Sequence, residues 1–355
     1  MNSVQGRRFC FSSLVSRPAT VALTLALSFL LTVTSAQPAK GKPVEPDKKE
    51  AALLAGIHGK IKGHIAWSTS RNGNHDIYLM KADGTEPMRL TKTNKTDWYP
   101  RFSPDGKKVL FTRSKIDWTI ETDAGEPERW DTWIIGVDGQ GEKLLIPNST
   151  WATWRPDGEH IVFSRGKDVF ECASDGTGEK EIVNGDKDLK GGIAQQPNMS
   201  DDGKFLAITL RGKERETGIF NLETRKWFTS GLGCQINWFP GTHKAIRINE
   251  TGIGFTQVFA FDVNTDGTHD KLSGHKIGDK DIRLIDLPSR RSHEYFPKVS
   301  QDGKYLVWAA TDRGHDHDLV DYEIFIWKIG SPAKEAVRLT FHSGNDRWPD
   351  IHLEE

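Results

Sequence analysis

Between Thr96 and Arg113 the chain reads TDWYPRFSPDGKKVLFTR. An aromatic and proline run enters a strand, Ser-Pro-Asp-Gly reverses it, and a second apolar strand leaves. Reduced copies recur at Trp151–Arg165, Gln196–Leu210, Gln235–Ile248 and Tyr295–Ala309. Aligned on one apolar position, the copies give the column Phe102, Trp154, Met199, Trp238, Val299 and, near the C-terminus, Ile351. Pro100, Pro197, Pro297 and Pro349 stand two places before it, whereas Ala152 and Ile236 depart. Spacings of roughly 40 to 60 residues suit four short strands per copy.

The turns agree with that reading. Asp105-Gly106, Asp157-Gly158, Asp202-Gly203 and Asp302-Gly303 each separate two apolar stretches, a hairpin signal. A second set, Asp83-Gly84, Asp138-Gly139, Asp175-Gly176 and Asp266-Gly267, follows the third strand of most copies. The runs Asp76–Met80, Thr132–Val137, Gln257–Val263 and Glu323–Trp327 are rich in β-branched and aromatic residues, as strands are. No stretch shows sustained helical periodicity. The segment Gly63–Thr91 has second, third and fourth strands without an inner one, and the copy from Asn345 supplies an inner strand alone. Joined, they predict one blade and a closed ring, which removes exposed sheet edges. The expected fold is an all-β, six-bladed β-propeller of four-stranded blades. Its blades are predicted at Thr96–Pro147, Asn148–Asp188, Gly192–Thr229, Gly231–Gly278, Arg291–Phe341, and the composite of Gly344–Glu355 with Lys60–Lys92.

Composition adds boundaries. The sequence has 355 residues with 48 Lys plus Arg against 49 Asp plus Glu. Mixed charge without a basic stripe argues against nucleic acid as a partner. Arg7, Arg8 and Arg17 flank the apolar run Val21–Val33, and Thr34-Ser35-Ala36 offers a cleavage site, so residues 1–36 read as a signal peptide. Export to a periplasmic or extracellular space follows, with no stable membrane insertion after cleavage. Residues 37–59, which include PAKGKPVEPDKKE, read as a polar linker, and 60–355 as the propeller. Cys172 and Cys234 sit at unrelated positions of the repeat and read as buried free thiols.

On the phrases DIYLMKADGTEPMRLT and YPRFSPDGKKVLFTR the chain resembles the TolB-type propellers, a WD-like repeat family of bacterial periplasms. The resemblance covers about Lys60 to Glu355 and implies that the first strand of each repeat lines a central channel. It covers the propeller part only, because the α/β domain that precedes the propeller in that family has just Gln37–Gly59 to occupy here. Similar repeats occur in prolyl-oligopeptidase-like enzymes and oligogalacturonate lyases, so the fold does not fix the function.

Loops on a rigid scaffold make the channel mouth the expected binding place. The ring expected there comprises Asp97, Trp98, Tyr99, Trp151, Gln195, Gln196, Gln235, His293, Glu294, Tyr295, Asp346, Arg347 and Trp348. Aromatic faces with a few polar groups suit a peptide or a sugar. His293 and Glu294 are the candidates for acid–base work, with Arg347 able to neutralise a uronate carboxylate. The run His315-Asp316-His317-Asp318 has ligand-type residues for a divalent metal, but its place between second and third strands predicts a solvated loop. Asp76, Asp131, Asp168 and Glu323 precede the third strand in four blades and are expected to make structural hydrogen bonds. Ser114–Trp130 and Gly274–Arg291 read as long insertions. No G-x-S-x-G elbow, P-loop, dinucleotide fingerprint or zinc-protease motif is present, and no hydrolase domain is expected after the last blade. The expected protein is monomeric and non-enzymatic, needs no cofactor, and binds a protein or glycan of the cell envelope. The alternative is a polysaccharide lyase acting on acidic glycans.

Overall fold

Five inner hairpins reverse at a glycine with φ of +70° or +71°, at Gly106, Gly158, Gly203, Gly241 and Gly303. A left-handed residue at this point costs an L side chain energy that glycine avoids. In three turns a serine hydroxyl donates to the turn aspartate at 2.6 Å: Ser103 to Asp105, Ser200 to Asp202 and Ser300 to Asp302. The same aspartates accept the amide two residues on, from Lys107, Lys204 and Lys304.

A computed structural model describes residues 37–120, 126–250, 256–269, 282–285, 287, 291, 293–312 and 316–354. The expected signal segment, 1–36, lies outside the described residues. Strands Gly63–Thr69 (β1), Asp76–Lys81 (β2) and Met88–Arg89 (β3) begin the sixth blade. Blade 1 holds Lys95–Phe102 (β4), Lys108–Asp117 (β5), Trp130–Gly136 (β6) and Lys143–Ile146 (β7). Blade 2 holds Thr150–Trp154 (β8), His160–Arg165 (β9), Asp168–Ala173 (β10) and Lys180–Val183 (β11). Blade 3 holds Ile193–Met199 (β12), Phe205–Arg211 (β13), Arg215–Asn221 (β14) and Lys226–Leu232 (β15). Blade 4 holds Cys234–Phe239 (β16), Lys244–Glu250 (β17), Thr256–Asp262 (β18) and Ile282–Ile285 (β19). Blade 5 holds His293–Val299 (β20), Tyr305–Thr311 (β21), Glu323–Lys328 (β22) and Val337–Arg338 (β23). Asp346–Leu353 (β24) completes blade 6 by pairing antiparallel with β1, Ile351 opposite Ile65. The ring of six four-stranded blades is therefore closed by the C-terminal strand, as the repeats predict.

The core confirms the ring independently. Five apolar clusters each straddle one pair of consecutive blades, and a sixth joins blades 5 and 6 and extends across the axis to Trp98, Tyr99, Trp151 and Cys234, because each blade buries both faces. Trp154, Met199, Trp238 and Val299 of the aligned column each pack against the blade before them. The residues before the third strand are structural. Asp76 pairs with Arg89, Asp131 accepts the Asn148 amide, Asp168 accepts the Gly185 amide, and Glu323 binds Arg338. Cys172 and Cys234 are buried and unbridged.

Three features depart from the sequence reading. Within the segment expected as linker, Lys48–Ile57 forms a helix (α1). Asp47 caps it and Glu50 returns a bond to the Asp47 amide, a capping box that stabilises a helix start. Leu53, Leu54 and Ile57 of α1 pack on the propeller core. The insertion expected at Gly274–Arg291 contains β19, the outer strand of blade 4, so that blade extends past Gly278. The described part of the Ser114–Trp130 insertion folds back, stacking Trp118 on His75 of blade 6 at 5.5 Å between ring centres.

Candidate functional site

Every inner strand carries one left-handed residue: Tyr99, Trp151, Gln196, Gln235, Phe296 and Trp348, with φ between +52° and +59°. Each marks a register shift against the second strand. A β-bulge adds one unpaired residue and re-aims its side chain. Proline follows the left-handed residue in four blades, where the broken ladder has no use for an amide donor. In the other two, Ala152 and Ile236 follow it.

These six side chains meet on the axis. Trp348 lies 4.1 Å from Phe296, 5.1 Å from Tyr99 and 5.3 Å from Trp151, ring centre to ring centre. Tyr99 and Trp151 stand edge-on at 4.9 Å. On blades 3 and 4 glutamines replace the aromatics. Gln196 accepts from the Thr209 hydroxyl at 2.8 Å, and Gln235 accepts the Phe296 amide that the bulge frees. Aromatic plug and amide network together close the channel at mid-height and leave a recess at each end.

The ring residues expected on a mouth rim lie instead within the inner strands, either at the left-handed position or one to three places before it. Asp97, Trp98, Glu294, Asp346 and Arg347 are fully buried. Asp97 holds Arg113 through two bonds of 2.7 Å. Trp98 packs on Trp130 and Trp151. Glu294 accepts the Leu287 amide at 2.8 Å. Burial lowers the pKa of half-buried His293, with Asp312 opposing. Asp346 accepts from the Trp67 indole and pairs with Arg71. Tyr295 packs edge-on against His317. Arg347 pairs with Asp318 at 2.9 Å and donates to the His317 carbonyl at 2.7 Å. Within the expected solvated loop, Asp316 is exposed, His317 is half-buried and Asp318 is buried against Arg347. His315 lies outside the described residues. Among the described residues no three His, Cys, Asp or Glu side chains cluster as metal ligands.

Of the expected ring, Trp151, Gln195, Gln196 and Gln235 line the recess where the inner strands begin, the strand-start mouth. It measures about 540 Å³, and its wall also includes Thr209, Arg211, Arg215, Ile120, Asp316 and Leu319. His293, Glu294, Asp346 and Arg347 do not line it. Its lining is mixed: Leu319, 55% exposed, and half-buried Ile120 stand beside the charged Arg211, Arg215 and Asp316, whereas exposed Ile116 and Leu232 do not line it.

The opposite recess, the hairpin mouth, holds residues that the sequence reading passed over. It measures about 320 Å³ and lies among the inner hairpins. Two places after each left-handed residue stand Arg101, Thr153, Asn198, Asn237, Lys298 and Asp350. All six are polar between two mostly apolar columns, a signal that the repeat alignment already contained. Five of them line this recess, and Asn237 lies at a small void beneath it. Neighbours along the ring are tied: Asn198 donates to Asn237 at 2.8 Å, Asn237 to the Pro297 carbonyl at 3.2 Å, and Asp350 accepts the Phe102 amide at 2.7 Å. Burial pushes the Lys298 amine down to about 8, with Asp350 opposing and Arg101 adding to the shift.

No family model matches the chain. A TolB homologue of Chlorobium luteolum is 26% identical over 242 residues, covering 63% of this chain and 51% of that protein. The chain thus spans about half the length of that relative. The Tol-Pal system protein TolB of Geobacter sulfurreducens is 39% identical over 56 residues, 16% of this chain and 13% of that protein. The crystal structure of TolB from Acinetobacter baumannii superposes with a TM-score of 0.58 at 15% identity, covering 85% of this chain and 70% of that one. With a TolB homologue matched along most of the repeats and a TolB structure matched in fold, the chain carries a TolB-like six-bladed β-propeller.

Proposed function

We propose that this is an exported propeller that binds a protein partner of the cell envelope, with a polypeptide segment of the partner seated in the strand-start mouth. The observation that carries it is the composition of that mouth. Exposed Leu319 and half-buried Ile120, with Arg211, Arg215 and Asp316, line a recess that also holds Trp151, Gln196 and Gln235. Apolar and charged side chains around buried amide groups suit a polypeptide, whose side chains meet the former and whose backbone pairs with the amides. A glycan needs open aromatic faces, and Trp98, Trp151 and Trp348 are turned against each other instead. The likeness to a Tol-Pal system protein supports an envelope setting. Export rests on Arg7, Arg8, Arg17 and the apolar run Val21–Val33. Among the described residues no helix is long and apolar enough to cross a membrane.

Two measurements test this. N-terminal sequencing of protein recovered from outside the cytoplasm is expected to begin at Gln37; an intact Met1 start refutes cleavage. A photo-crosslinking residue placed at Leu319 is expected to capture one envelope protein, and the same residue at Met88, exposed on an outer strand, to capture none. Equal capture at both positions, or none at Leu319, refutes the assignment of this mouth.

A further inference from the structure

The geometry points to a second binding site, at the hairpin mouth, for a small molecule bearing one carboxylate, held between Arg101 of blade 1 and Lys298 of blade 5. It does not depend on the partner assigned to the opposite mouth.

The two cations differ from the other members of their column. Asn198, Asn237 and Asp350 bond to the neighbouring blade. Lys298 has no hydrogen-bond or ion-pair partner among the described residues, although its amine is desolvated enough to shift. Arg101 is only 4% exposed, lies 3.6 Å above the Tyr99 ring, and donates Nη1 to the Pro100 carbonyl. Its Nε is buried without a hydrogen bond. Buried donors are normally satisfied, and an orphan guanidinium nitrogen beside an unpaired ammonium is the arrangement an anion completes.

The charge count selects the anion. Asp350 stands between the two cations and lines the same recess, leaving one net positive charge among the three. A carboxylate balances it; a phosphate dianion leaves an excess negative charge next to Asp350. Thr153 and Asn198 line the recess and offer hydroxyl and amide groups for the rest of the ligand. The plug of Tyr99, Trp151, Phe296 and Trp348 blocks passage to the other mouth, so the ligand is limited to what about 320 Å³ holds. That space takes a sugar acid or a small organic acid rather than a chain.

The site has a pH signature. Arg101 and Asp350 act on the charge of Lys298, and Arg155, Asp201 and His352 line the same recess. A bound carboxylate favours the protonated amine. Affinity is therefore expected to fall as pH rises through about 8, where the free amine loses its proton.

Isothermal titration of the chain from Gln37 with D-glucuronate, L-lactate and benzoate tests this. At least one is expected to bind with a Kd on the order of 1 mM or tighter at neutral pH. Binding is expected to weaken about tenfold or more in Lys298→Gln, to persist in Lys298→Arg, and to be absent for D-glucose. Arg101→Gln is a second loss variant, read only where its melting temperature is held. Failure of all three acids overturns the site. Phosphate binding more tightly than every acid overturns the carboxylate assignment. Glucose binding as well as glucuronate, or a Lys298→Gln variant that binds normally, overturns the role of the charge.

Discussion

Replacing Trp348 tests the plug and its backbone together. The indole is buried against Phe296, Tyr99 and Trp151 at 4.1, 5.1 and 5.3 Å. Truncating a core tryptophan to alanine costs about 3–5 kcal/mol. At about 2–4 °C per kcal/mol the melting temperature of Trp348→Ala is expected to fall by roughly 6–20 °C. Glycine at the same place removes one more carbon, and glycine within a strand usually loses about 0.5–1 kcal/mol against alanine. Here φ is +52°, and a left-handed backbone penalises an L residue by about 1–2 kcal/mol. The second effect is larger, so Trp348→Gly is expected to be more stable than Trp348→Ala by about 0.5–1 kcal/mol. Val307, buried in the middle of β21 with no positive φ, is the control: there the glycine variant is expected below the alanine one. Urea unfolding of the four variants reads both differences. The same order at 348 as at 307 refutes the backbone argument. A loss below about 1 kcal/mol for Trp348→Ala refutes the claim that the aromatics hold the inner ring together.

Asp97→Ala leaves Arg113 buried with Glu142, at 2.6 Å, as its one ion-pair partner among the described residues. Breaking such a pair costs about 3–5 kcal/mol, and a loss under about 1 kcal/mol in urea unfolding counts against its structural role. The serine-bonded turn aspartates contribute to acid sensitivity. The Ser103 hydroxyl pulls Asp105 below its ordinary 3.8; in Asp202 and Asp302 partial burial opposes the shift, but hydroxyl and amide donors outweigh it. A depressed folded pKa contributes stability above the unfolded value that is lost as pH falls through the folded one. The triple variant Asp105→Asn, Asp202→Asn, Asp302→Asn is accordingly expected to lose less stability than the parent chain below pH 3.8; parallel curves of melting temperature against pH refute this.

Strand identity was legible because each Asp-Gly turn is local chemistry: a glycine takes the left-handed position and the aspartate bonds amides within its own turn. Ring closure was legible too, since Asn345–Leu353 and Gly63–Thr91 each lack what the other supplies. The helix α1 was not, because KKEAALLAGI is short and sits in a charged run whose only clear mark is Asp47 with Glu50 three places on. Its three apolar side chains have meaning only once the propeller offers them a surface. The outer strand β19 was hidden similarly, as four residues inside a long basic loop.

The site was half legible, and the bulge explains which half. Residues before the proline are aromatic in the column's first members, and that drew attention to Trp98, Tyr99 and Trp348 as a rim. Sequence alternation cannot show that a left-handed residue turns the side chain toward the axis, where four aromatics from blades 5, 6, 1 and 2 interlock. Once they interlock they are wall rather than surface, and binding is displaced to the two ends. At one end the lining residues are glutamines with Leu319, Ile120, Arg211 and Arg215. At the other they are the polar column of Arg101, Thr153, Asn198, Lys298 and Asp350, which periodicity alone exposes when the six copies are aligned two residues past the bulge. Which face of the propeller carries which chemistry is thus decided by one backbone dihedral repeated in six strands.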